Sequence, residues 1–200
     1  MATQQSAPSP VAAEIADPAP LGLAGFAMTT MVLSCFNANL LSDKLSVVVL
    51  PLALAYGGLA QLLAGMWEFR KGNTFGATAF SSFGAFWLAY YFLVKDAVPA
   101  AATNPDLHKA IGLFLLAWAI FTAYMTVAAV RVSGAVLAVF AVLTITFAVL
   151  AAGAFGPSTS ATKAGGWLGL VDAALAWYAS FAGVTAYTFK RQILPTWPAR

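Results

Sequence analysis

Six long apolar runs, separated by short polar links, divide the chain. They cover about residues 21–41, 45–69, 75–94, 110–130, 135–154 and 165–189. A helix of about 20 residues, rising about 1.5 Å per residue, crosses a bilayer core of roughly 30 Å. Each run therefore predicts a membrane-crossing helix, and the chain predicts an all-α membrane protein, a bundle of six transmembrane helices.

The links refine this pattern. Residues 1–16 are small and polar and read as a flexible N-terminal tail without the basic segment of a secretory signal. Asp17 precedes Pro18 and Pro20, where it can cap orphan N–H groups of the first helix. Ser42-Asp43-Lys44 predicts a turn, and Pro51 predicts a kink or local opening in the second span. The link from Glu68 to Thr74 is so short that spans two and three must be antiparallel. Residues 95–109 form the longest polar connection, with Pro99 and Pro105 expected to stop helix. Residues 131–134 make a tight turn and 156–164 a loop. The transmembrane domain is thus 17–190, and 191–200 is a proline-broken C-terminal tail.

Composition excludes the soluble classes. Apolar residues make up 61% and charged residues 8%, whereas soluble domains carry about a quarter charged residues. One cysteine and one histidine leave no multi-cysteine or His-rich metal site, and no cofactor is implied. The net charge of +3 comes without a basic run, which argues against a nucleic-acid partner. No clustered nucleophile, base or metal ligands appear, so the chain does not read as an enzyme. With six spans, both termini share a face. That face carries Arg70, Lys71, Arg131, Lys190, Arg191 and Arg200, six cations against Lys44, Lys95, Lys109 and Lys163 on the other. The positive-inside rule then predicts a multi-pass protein of the cytoplasmic (inner) membrane with cytoplasmic termini.

Polar groups within the spans are the candidate chemistry. Phe26, Thr30, Ser34 and Asn37 recur at steps of four, four and three, and so share one helix face. Phe80, Phe83, Trp87 and Tyr90 form an aromatic stripe on the third span, with Thr78 and Ser82 near it. The fourth span offers Trp118, Thr122 and Met125, the fifth Leu143, Thr144 and Thr146, and the second Gln61 at mid-span. Such groups serve either as interhelical hydrogen-bond partners or as the neutral walls of a narrow pathway. No lysine or arginine lies inside a span, so a carboxylate there would be met by hydroxyls, amides and helix N–H groups. Two acids are possible pH-linked groups. Glu68, beside Arg70 and Lys71, predicts an interfacial salt bridge; Asp172 lies about two turns inside the sixth span, at a depth where an ionisable group faces a cavity or a partner.

The stretch DPAPLGLAGFAMTT at the first span resembles the N-terminal signature of the acetate uptake transporter (AceTr) family, whose members carry acetate and in some cases succinate. GGLAQLLAGMWEFRKGNTFGATAFSSFGAFW, FLLAWAIFTAYM and GGWLGLVDAALAWYASFAGV are similar to the family's second and third, fourth, and sixth helices. The resemblance covers about residues 17–190. It implies a small-monocarboxylate channel or transporter, assembled as a homo-hexamer with one pathway per subunit. It also implies a hydrophobic constriction of Phe26, Phe83 and Leu143, with Gln61, Asn73 and Thr74 near the pathway. This chain departs from the family pattern at Asp17, where Asn is usual, at Phe83, where Tyr is common, and at Asp172, where a small neutral residue is usual. A succinate or proton-coupled carrier is the alternative in the same class, and a membrane sensor or structural protein without flux is the alternative outside it.

Overall fold

The computed structural model describes residues 15–199, so most of the expected N-terminal tail lies outside the described residues. Six helices are long and apolar enough to cross a membrane: α1 (Ala19–Asn37), α2 (Asp43–Lys71), α3 (Thr74–Ala100), α4 (Leu107–Ala129), α5 (Gly134–Phe155) and α6 (Thr159–Thr188). The Asp17 carboxylate accepts the Ala19 N–H at 3.0 Å, as a cap should. The turn between α2 and α3 is built by two residues. Gly72 closes α2 at φ +80°, which only glycine adopts cheaply, and the Asn73 side chain accepts the Gly76 N–H at 3.1 Å.

Helix ends differ from the hydropathy boundaries for local reasons. α1 stops at Asn37, four residues short of the expected end, because Asn39 turns left-handed at φ +60°. α6 begins at Thr159 rather than 165, since the Ser158 hydroxyl accepts the Ala161 N–H and lets a polar run form the first turn. Pro99 does not stop α3. A π-helical turn over Leu93–Ala97 widens the backbone ahead of it, and helix continues through Val98–Ala100.

The second span is the least regular. It opens as a 3₁₀ segment (Asp43–Val48), passes through Val49–Leu54 with Pro51 in its first turn, and then widens into a π segment, Ala55–Ala60. That segment is wedged between α1 and α3. A Cβ at Gly25 would lie 2.7 Å from the Tyr56 carbonyl oxygen, and one at Gly57 would lie 2.5 Å from Thr29 Oγ1 and 2.9 Å from Trp87. Small residues thus bring three backbones together at mid-membrane.

Around the bundle the neighbours run α3, α2, α1, α6, α5, α4. Between α3 and α4 the ring closes mainly through side chains: Phe83 lies 5.8 Å from Trp118 and 5.4 Å from Phe121, and Phe86 stacks on Phe114 at 5.8 Å. Glycines set the α1–α6 contact, where a Cβ at Gly166 would meet the backbone of Asn37 and Ala38. Residues 190–199 do not trail away. Lys190 turns at φ +55°, and the strand-like end folds back so that the carbonyls of Trp197 and Thr196 accept the N–H groups of Gly134 and Ala135, at 2.7 and 3.2 Å. Tyr178 of α6 donates to the Pro195 carbonyl at 2.7 Å and stacks on Trp197.

Candidate functional site

A file of cavities, linked through shared wall residues, runs along the ring of helices. The best enclosed holds about 230 Å³ and is walled by α1, α3 and α5 with additions from α4 and α6. Thr30, Ser34 and Asn37 line it from α1, Trp87 and Tyr90 from α3, Thr146 from α5. A much smaller void of about 20 Å³ lies on the other side of Phe26 and Leu143, which line both; Gln61, Phe80 and Phe83 enclose it. Leu23 connects this void to a 390 Å³ mouth whose walls include Asp17, Gln192 and Thr196, near the termini. At the far end, Ile111, Ala154 and Thr162 are shared between the main cavity and a 380 Å³ mouth that carries His108.

The neck between the two inner cavities is apolar and closely filled. Phe26, Phe83 and Leu143 are each buried, and Phe26 meets Phe83 edge to face at 5.8 Å. Phe83 is also held by Phe121 and Phe140, at 5.4 and 6.0 Å, so its ring has little room to turn away. Above the neck the wall offers donors. The Trp87 Nε1–H and the Thr30 hydroxyl are both buried without a hydrogen-bond partner in the protein. Buried polar groups are nearly always satisfied, so unpartnered groups in a cavity wall are candidates for holding a ligand or water.

Several candidate residues lie elsewhere. The Thr122 hydroxyl donates to the Trp118 carbonyl at 2.7 Å, and Thr144 Oγ1 meets Thr126 Oγ1 at 2.9 Å in the α4–α5 seam; neither lines the main cavity or the small void. Thr146, one turn from Leu143, supplies the α5 hydroxyl instead. Asn73 is the cap of α3 and Thr74 is exposed at the helix link, both outside the cavity walls. Phe86, which neither spacing nor resemblance singled out, lines the main cavity and touches Trp118 and Phe147 at 5.1 and 5.3 Å. Its place one turn beyond Phe83 was the available signal.

The two acids depart from expectation in different ways. Glu68 forms no interfacial salt bridge: Lys71 pairs with Asp17 at 2.8 Å, while Glu68 is 0% exposed with the Asn73 side chain beside its carboxylate. Gly65 and Gly76 let α3 approach so closely that the carboxylate is enclosed between the helices. Asp172, also 0% exposed, is unpartnered on the small-residue face of α6. A Cβ at Gly169 would meet Ser34 of α1 and Thr146 of α5, so Asp172, three residues on, sits near the level of Thr30 and Leu143. It borders neither inner cavity, and α1 and α5 bring no charged residue toward it.

Comparison with known proteins places this architecture. A sequence model described as the GPR1/FUN34/yaaH family matches residues 2–198. The chain is 44% identical over 184 residues to Ammonia transport outward protein 2 of Saccharomyces cerevisiae, covering 89% of this chain and 64% of that protein. It is 41% identical over 198 residues to Acetate permease A of Emericella nidulans, covering 92% and 66%. The chain therefore spans a little under two-thirds of the length of these fungal relatives. It is 36% identical over 182 residues to the Succinate-acetate/proton symporter SatP of Escherichia coli, covering 91% and 95%. The solved structure of the bacterial acetate channel SatP superposes with a TM-score of 0.85 at 36% identity, covering 92% of this chain and 99% of that one.

Proposed function

This chain belongs to the GPR1/FUN34/yaaH family, and from that premise we propose that it is a channel or transporter for acetate and related small monocarboxylates. The observation that carries this reading is the neck, where Phe26 and Leu143 separate a roomy cavity lined by hydroxyls and an indole N–H from a much smaller void. Carboxylic acids of this class have pKa values of about 4 to 5, so the solute reaches the protein mainly as an anion. In the main cavity, Thr30, Ser34, Asn37 and Trp87 replace part of its hydration shell with neutral donors. No fixed cation binds it too tightly to leave. The methyl or short alkyl end suits the neck, where shedding water from a charge is expensive and hydrated inorganic ions are resisted.

We place the protein in the cytoplasmic membrane with both termini inside, on the lysine and arginine balance of six to four. Assembly as a homo-hexamer, each subunit with its own pathway, is the proposed state. Glycine-rich faces and long exposed apolar flanks on α2, α4 and α6 are compatible with it. Native mass spectrometry from mild detergent would show the hexamer; a monomer across several detergents would remove it. The transport reading is tested by uptake of labelled acetate into liposomes holding the purified protein. Uptake no faster than in protein-free liposomes would leave a sensor or structural role in its place.

A further inference from the structure

We propose that the α2–α3 interface carries a second, narrower polar branch, in which Glu68, Ser81 and Gln61 pass protons between the terminal face and the void beneath the neck. It rests on the transport reading. Gln61, Gly65 and Glu68 follow at steps of four and three, so they form one stripe on α2. The missing side chain of Gly65 matters here, because a Cβ at that position would collide with the Ser81 hydroxyl. Ser81 Oγ therefore lies over the stripe, between Gln61 and Glu68.

All three residues carry polar atoms that are shielded from solvent: Gln61 Oε1 and Ser81 Oγ have no hydrogen-bond partner, and the Glu68 carboxylate has the Asn73 side chain beside it. Unpartnered buried groups are uncommon, and a run of buried polar groups along one helix seam calls for a shared explanation. From position 61 to 68 the helix rises about 10 Å, and Ser81 divides that distance into gaps of about 5 Å. Two hydrogen bonds of about 2.8 Å through one water span such a gap.

Both ends of the stripe lead somewhere. Glu68 lies near the surface pair of Lys71 and Asp17, whose side chains are 37% and 52% exposed, and beside the Asn73 amide. Gln61 lines the void under Phe26 and Leu143. No other titratable side chain intervenes among the described residues. Cys35 of α1 and Tyr90 and Tyr91 of α3 lie toward the opposite face, Tyr56 is above Gln61 on α2, and Arg70 is exposed. The proton chemistry balances simply. A proton from solution binds a Glu68 oxygen, and its release to the neighbouring water restores the carboxylate. The relayed proton ends on a carboxylate oxygen of the solute, with Gln61 orienting the last water. The solute then meets the apolar neck as a neutral acid, without the cost of desolvating a charge; in uptake the same steps run in reverse, the acid leaving the neck and giving its proton by way of Gln61, Ser81 and Glu68 to the terminal face.

Two transport modes separate this branch from the main pathway. In proteoliposomes, net uptake of labelled acetate driven by a proton gradient needs the branch. Exchange of labelled for unlabelled acetate at equal pH can reuse the proton brought by the incoming molecule. Glu68→Gln and Ser81→Ala are each expected to lower gradient-driven uptake roughly tenfold or more while leaving exchange within about twofold, the low end of what losing a proton-transfer group costs. Unchanged gradient-driven uptake in either folded variant, or equal loss of both modes, would overturn the proposal. A second measurement does not depend on transport. The carbonyl band that appears on acidification and is removed by Glu68→Gln should shift within seconds of transfer to D₂O, and a band that does not shift rejects the branch even if acetate flux is absent.

Discussion

At the residue scale, the neck gives the sharpest expectation. Leu143 borders both inner cavities, so Leu143→Ala removes apolar volume from the partition without adding charge. The variant should move lactate or propionate better relative to acetate than the parent does, measured as uptake of labelled acids at one pH with orientation checked. A parental ratio in the folded variant would take Leu143 out of the limiting constriction. Phe83→Tyr should shift that ratio less, since it changes polarity more than width. Asp172 permits a stability prediction instead. Burying a polar group without a partner costs about 1–3 kcal/mol, and the surrounding face of α6 is made of Gly169, Ala173 and Ala176. Asp172→Ala should therefore raise the thermal midpoint in detergent, and a lowered midpoint would mean that the carboxyl has a partner in the assembled protein.

Elements depend on glycine in two distinct ways, and stability can tell them apart. At Gly166 an added Cβ would meet the backbone of Asn37 and Ala38, which cannot rotate aside. Gly166→Ala should cost at least the roughly 1–3 kcal/mol typical of overpacking. Gly72 has open space around it but a φ of +80°, so Gly72→Ala should cost only about 1–2 kcal/mol of backbone strain. Thermal unfolding of the two variants should show Gly166→Ala as the less stable. The helices themselves were legible in sequence because apolar run length alone meets the bilayer requirement. Their ends were not, because a hydroxyl such as Ser158 can start a helix in a polar run. The π segments of α2 and α3 were hidden for another reason: they are fixed by what packs against them, as Gly25 does on Tyr56, and only Pro51 hinted at irregularity.

For the whole molecule, the face of α1 bearing Phe26, Thr30, Ser34 and Asn37 could be read from spacing, and the structure brings those residues to one cavity. Glu68 could not be read that way. A carboxylate three residues from a lysine looks like a surface ion pair until Gly65 and Gly76 show how near α3 comes. The fold-back of residues 195–199 was also invisible, since its bonds join backbone groups more than 60 positions apart and use no side-chain code except Tyr178. That fold-back has a consequence for biogenesis. The first N–H groups of α5 receive their carbonyl partners from Thr196 and Trp197, which leave the ribosome only after all six helices have been made. The bundle can insert span by span, yet its terminal face is not finished until residues 195–199 arrive. A chain cut after Lys190 should thus insert all six helices yet leave the N–H groups at the start of α5 to exchange freely, whereas the sequence that includes residues 191–199 should protect them.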